Sequence, residues 1–167
     1  WIIMGPDACL YVCDTYNHCL RKIDQKGVVS TIAGVGGKKG YSGDGGPATR
    51  ALLNEPYEVR FDTKGNLFFV EMMNHLVRKV NTKTGVITTV AGTGKKGFGG
   101  DGGPAIRAFF NRPHSIQFGP KGNLFVCDIG NRRIRKISME TGLVTTFSGT
   151  GKKGMTVDGG RIDQVDL

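Results

Sequence analysis

The sequence predicts an all-β fold built from three copies of one four-stranded antiparallel unit, and three observations carry that prediction. The first is internal repetition at a fixed step of 57 residues. Leu10-Tyr-Val-Cys-Asp14 recurs as Leu67-Phe-Phe-Val-Glu71 and Leu124-Phe-Val-Cys-Asp128, and Arg21-Lys-Ile23 recurs as Arg78-Lys-Val80 and Arg135-Lys-Ile137. The second is short apolar runs bounded by turn residues, the pattern of strands. The third is 27 glycines in 167 residues with 38% apolar residues retained, which implies many tight turns around a real core.

The second copy justifies the elements in order. Residues 57–61 alternate, with Val59 and Phe61 on one face and Glu58 and Arg60 on the other. Residues 62–66 form a turn in which Gly65 supplies a positive φ. Residues 67–70 are a short apolar strand, 71–74 a turn, 76–80 a third strand, 81–85 a turn, and 86–91 a fourth strand dense in β-branched residues. A connector follows, with a short helical turn that opens on Pro104 and has Asp101 as its cap. Four short antiparallel strands per repeat describe a β-propeller blade. One such sheet cannot cover both its faces, so blades stack side by side around an axis. The blades are expected at about 1–33, 57–91 and 114–148, with glycine-rich connectors between them.

The connector carries a competing signal. Gly92, Gly94 and Gly97 satisfy the G-x-G-x-x-G fingerprint of dinucleotide sites, with Lys95 and Lys96 inside it. That fingerprint requires a helix rooted in the glycines, but here glycines continue to Gly103. The first copy (34–40) breaks the spacing by one insertion, and no copy ends in the Lys-Ser or Lys-Thr of a phosphate loop. A loop repeated three times reads as a blade-to-blade connector.

With the repeat laid out, the sequence resembles the NHL-repeat family of β-propellers. The likeness rests on residues 53–80 and 110–137, including Asn74-His75-Leu76, and on the connector at 85–105, which resembles the longer-repeat branch. Residues 159–167 depart from it, lacking the Pro-Ala that starts the short helical turn elsewhere. The resemblance implies six blades in a closed ring, so three are half of one. Trp1 to Met4 align with Glu58 to Phe61, and Leu167 aligns with Phe110, so the chain starts and stops inside a repeat. Two alternatives follow: a homodimer that closes the ring, or a fragment of a longer chain.

Several groups were candidates for chemistry. Asp14, Glu71 and Asp128 end equivalent strands opposite Arg21, Arg78 and Arg135; repeated acid–Arg pairs read as structural rather than as acid–base machinery. His18 and His75 fall in equivalent turns and His114 in another layer, a poor set for a zinc ion of the kind that a propeller-built amidating lyase holds. Cys13 and Cys127 read as small buried residues, and a tight first hairpin would set Cys13 opposite Cys19 for a cross-strand bridge. No catalytic residue, metal or cofactor is assigned. Lys38, Lys39, Lys95, Lys96, Lys152 and Lys153 occupy one loop of three successive blades and form an arc that suits a polyanion; with a net charge of +9 this suggests RNA. Glu58, Arg60, Ser115 and Gln117, on innermost strands, are the candidates for binding a ligand in the channel or on a face. The function expected is a non-catalytic scaffold that binds a protein, with RNA or another polyanion as the rival and a metal-dependent lyase or hydrolase behind both. No apolar run is long enough to span a bilayer.

Overall fold

A computed structural model of the chain describes residues 1–155 and 158–167. Among these, twelve strands form three four-stranded antiparallel sheets, each a meander in chain order. The first holds β1 (Ile2–Met4), β2 (Leu10–Asp14), β3 (Cys19–Ile23) and β4 (Val29–Ala33). The second holds β5 (Pro56–Phe61), β6 (Leu67–Glu71), β7 (Leu76–Val80) and β8 (Ile87–Ala91). The third holds β9 (Pro113–Phe118), β10 (Leu124–Asp128), β11 (Arg133–Ile137) and β12 (Val144–Ser148). The only helical pieces among the described residues are 3-10 turns of three residues.

Local chemistry sets each hairpin. The Asp62 carboxylate accepts the amides of Lys64 and Asn66 at 2.9 and 2.8 Å, and Gly65 takes φ +79° to reverse the chain. The turns after β2, β6 and β10 close on His18, His75 and Arg132, all left-handed with φ near +50°.

Side-chain alternation then stacks the sheets. Tyr11 and Cys13 of β2 face the second sheet, where Leu67 and Phe69 of β6 meet them; Phe68 and Val70 point the other way, onto Leu124 and Val126. β6 is therefore buried along its whole length, as a strand between two sheets must be. Each large apolar side chain so buried contributes about 1.5–3 kcal/mol. The three sheets are the blades of an open propeller arc.

A repeated buried ion pair locks neighbouring blades. Arg78 is fully buried; its guanidinium donates to Glu71 at 3.1 Å, to Asp44 at 2.7 Å and to the Ser42 carbonyl at 3.0 Å. Arg135 repeats this with Asp128, Asp101 and the Gly99 carbonyl. Asp44 and Asp101 lie in the connectors that arrive from the preceding blade, so each connector completes the next blade's arginine. The same connectors pair along that blade's outer strand: the Gly45 amide donates to the Ile87 carbonyl at 2.8 Å, and the Ile87 amide to the Gly46 carbonyl at 3.0 Å. Burial pushes the Glu71 carboxyl up to about 7, against the pull of Arg78 and of the Asn54 and Asn74 donors.

Two expectations are corrected. Cys13 does not face Cys19: the register pairs Asp14 with Cys19 and Cys13 with Leu20, so the two thiols lie on opposite sheet faces and both are free. Asp101 does not cap the 3-10 turn Ala105–Arg107; its carboxylate bonds Arg135 and Thr146 instead, and Pro104 stands one place earlier than expected, in extended conformation at the cap.

Candidate interaction face

The turns after β2, β6 and β10 and the three connectors occupy one face of the arc. The Asn74 side chain donates to the Gly40 carbonyl and Asn131 to the Gly97 carbonyl, both at 2.7 Å, so each connector crosses the next blade's turn. Lys38, Lys39, Lys95, Lys96, Lys152 and Lys153 all sit exposed on this face, and among the described residues none has an acidic partner.

The glycines that suggested a phosphate loop serve the fold. Gly92 takes φ +98°, and a Cβ there would stand 2.4 Å from the His75 carbonyl oxygen. Its amide donates to Ala105, that of Thr93 to Ala108 and that of Gly97 to Phe110, at 2.9 to 3.0 Å. Those donors are spent on backbone partners, and no helix starts among them.

Apolar side chains stand out between the lysines. Tyr16, Met73 and Ile129 project from the turns, with Tyr16 86% exposed, and Tyr41, Phe98 and Met155 from the connectors. The connector aromatics also lie over arginines: the buried Arg78 is 5.3 Å from the Tyr41 ring centre, and the buried Arg135 and half-buried Arg133 are 5.0 Å and 3.9 Å from that of Phe98. Sequence reasoning overlooked Tyr16, Met73 and Ile129. The available signal was a large apolar residue one or two places after each strand-ending acid, where a turn would ordinarily be polar.

The histidines have other tasks. Nδ1 of His18 accepts the Glu55 amide at 3.2 Å, and Nδ1 of His75 accepts the Arg112 amide at 3.0 Å, each across a blade boundary. Burial, with Lys96 and Arg112 nearby, lowers the His75 pKa. His114 stacks on Tyr57 with ring centres 3.9 Å apart. Among the described residues no three of His, Cys, Asp and Glu lie close enough together to hold a metal ion. Among the described residues no helix is long and apolar enough to cross a membrane.

The innermost-strand candidates meet in a hollow of about 410 Å³, lined by Trp1, Glu58, Arg60, Ser115 and Gln117. Arg60 pairs with Glu58, donates from Nε to Gln117 at 2.8 Å and lies 5.0 Å from the Trp1 ring centre. Glu58 is only 2% exposed. The charges in the hollow therefore satisfy one another. Ser115 stands apart from that set, its hydroxyl 3.1 Å from Nδ1 of His114.

No family model matches the chain. Over 164 residues it is 32% identical to NHL repeat-containing protein 2 of Bos taurus, a match that covers 93% of this chain and 22% of that protein. An auxiliary nutrient binding protein of Bacteroides ovatus superposes with a TM-score of 0.68 at 25% identity, over 82% of this chain and 36% of that one. A catalytically inactive virginiamycin B lyase of Staphylococcus aureus superposes with a TM-score of 0.57 at 15% identity, over 87% of this chain and 39% of that one, a likeness of fold alone.

Proposed function

The chain belongs to the NHL-repeat family of β-propellers, and from that premise we propose that it is a non-catalytic scaffold that binds a protein partner across the connector face. One observation carries the reading: exposed apolar side chains (Tyr16, Met73, Ile129, Tyr41, Phe98, Met155) alternate with unpaired lysines on a single face. Apolar anchors within a charged surround suit a protein surface with acidic groups at its edge. A triple substitution Tyr16→Asp, Met73→Asp, Met155→Asp tests it by affinity capture beside the unaltered chain. The expected result is loss of the captured proteins, whereas Lys38→Gln, Lys95→Gln, Lys152→Gln only weakens capture. Equal capture by the aspartate variant would contradict the reading.

The lysine arc supports a second reading, binding to RNA or another polyanion. Phosphate contacts would make affinity for single-stranded RNA fall steeply with salt, by roughly 0.7 logarithmic units per contact for each tenfold rise. Replacing Lys38, Lys95 and Lys152 together would flatten that slope. If the variant binds RNA as the original does, the arc is not a polyanion site.

A further inference from the structure

The two joints between blades repeat in shape but not in charge. At the strand ends away from the connector face, the Asp7 carboxylate closes the joint between the first and second blades. Lys22 donates to it at 2.6 Å and the Tyr11 hydroxyl at 3.0 Å, and the Tyr11 and Phe61 rings meet edge to face, with centres 4.8 Å apart. One repeat step on, Tyr11 is replaced by Phe68, Phe61 by Phe118, Lys22 by Lys79 and Asp7 by Lys64. The ring pair persists, Phe68 and Phe118 meeting edge to face at 5.0 Å. The carboxylate does not persist. Among the described residues neither Lys64 nor Lys79 has an acidic partner.

A cavity of about 430 Å³ opens at this second joint, its walls supplied by the second and third blades. Phe61, Phe68, Phe118 and Met139 make it apolar, and Lys64 and Lys79 make it positive. Its one carboxylate, Asp62, is already committed to its own turn. It accepts the amides of Lys64 and Asn66 and the Asn66 side chain, at 2.8 to 2.9 Å. An apolar hollow of this size with a few convergent polar groups suits a small molecule. The polar groups left over are two ammonium donors, which call for an anion.

We propose that this cavity binds a small apolar monocarboxylate, of the size of an arylacetate. Its carboxylate takes the place that Asp7 holds in the first joint, between Lys64 and Lys79, and its apolar part lies against Phe61, Phe118 and Met139. The first joint argues for a carboxylate, since the same fold there sets one against the equivalent lysine. The aromatic wall argues for an apolar substituent, which inorganic phosphate lacks. The site lies at the opposite strand ends from the connector face and is independent of the partner proposed there.

Calorimetric titration of the chain with phenylacetate tests this. Saturable binding is expected, and neutral phenylacetamide should bind at least about tenfold more weakly, having no charge for the lysines. Lys79→Gln should weaken binding of the acid by a similar factor. Lys64→Asp gives this joint the acid–lysine pair of the first and should abolish binding, while Lys26→Gln, on the first blade, should leave it unchanged. No saturable binding of phenylacetate, equal binding of acid and amide, or binding indifferent to both Lys64→Asp and Lys79→Gln would overturn the proposal. The comparison of acid with amide uses the unaltered chain, so it decides even where a variant fails to fold.

Discussion

Arg78 and Arg135 are fully buried cations, a state that survives only because two carboxylates and a carbonyl surround each. Removing the fully buried carboxylate leaves Arg78 with only the partly exposed Asp44 and the Ser42 carbonyl, so Glu71→Ala is expected to cost about 3 kcal/mol in urea unfolding at about pH 8.5, above the raised Glu71 value. Replacing the pair together with apolar residues (Glu71→Leu with Arg78→Met) should recover most of that loss. A second residue-scale prediction concerns acid. Lys22 donates to Asp7 at 2.6 Å and holds its carboxyl down at about 2, below the ordinary 3.8. A carboxylate so lowered contributes stability that is present above 3.8 and is lost as pH falls toward 2. Unfolding free energies at pH 5 and pH 2.5 should therefore diverge less in Asp7→Asn than in the unaltered chain.

At the scale of elements, two glycines separate conformation from crowding. Gly65 has φ +79° with open space around it, whereas Gly92 combines φ +98° with the His75 carbonyl 2.4 Å from any Cβ. Gly65→Ala should cost about 1–2 kcal/mol, the ordinary left-handed penalty, and Gly92→Ala at least about 3 kcal/mol, with both strain and a clash. Melting of the two variants checks the order. The strands were legible in the sequence because alternation and turn chemistry agree: Asp62 and Gly65 announce their hairpin before any coordinates exist. What stayed hidden depends on distance along the chain. Asp44 meets Arg78 34 residues away, in the following copy, so local pattern assigned its counterpart Asp101 to a helix cap instead. The Cys13–Cys19 pairing failed by register, because a four-residue turn closing on left-handed His18 places Asp14, not Cys13, opposite Cys19. On the candidate face the lysines were legible from their periodicity. Of the exposed apolar side chains, Tyr41, Phe98 and Met155 fall in that same repeated loop, whereas Tyr16, Met73 and Ile129 sit in turns whose direction the repeat does not encode, so their only signal was apolar character just after each strand-ending acid.

For the molecule as a whole, stability is shared between blades rather than stored in each. The second sheet has both faces covered, and its arginine, its outer strand and its turn all take partners from a neighbour. Repeat arrays with strong neighbour terms melt together when those terms dominate. Scanning calorimetry of Glu71→Ala tests this most directly. One transition is expected, shifted as a unit to lower temperature, with calorimetric and van't Hoff enthalpies equal. A separate early transition for the second blade, with the remainder melting where the unaltered chain does, would contradict it.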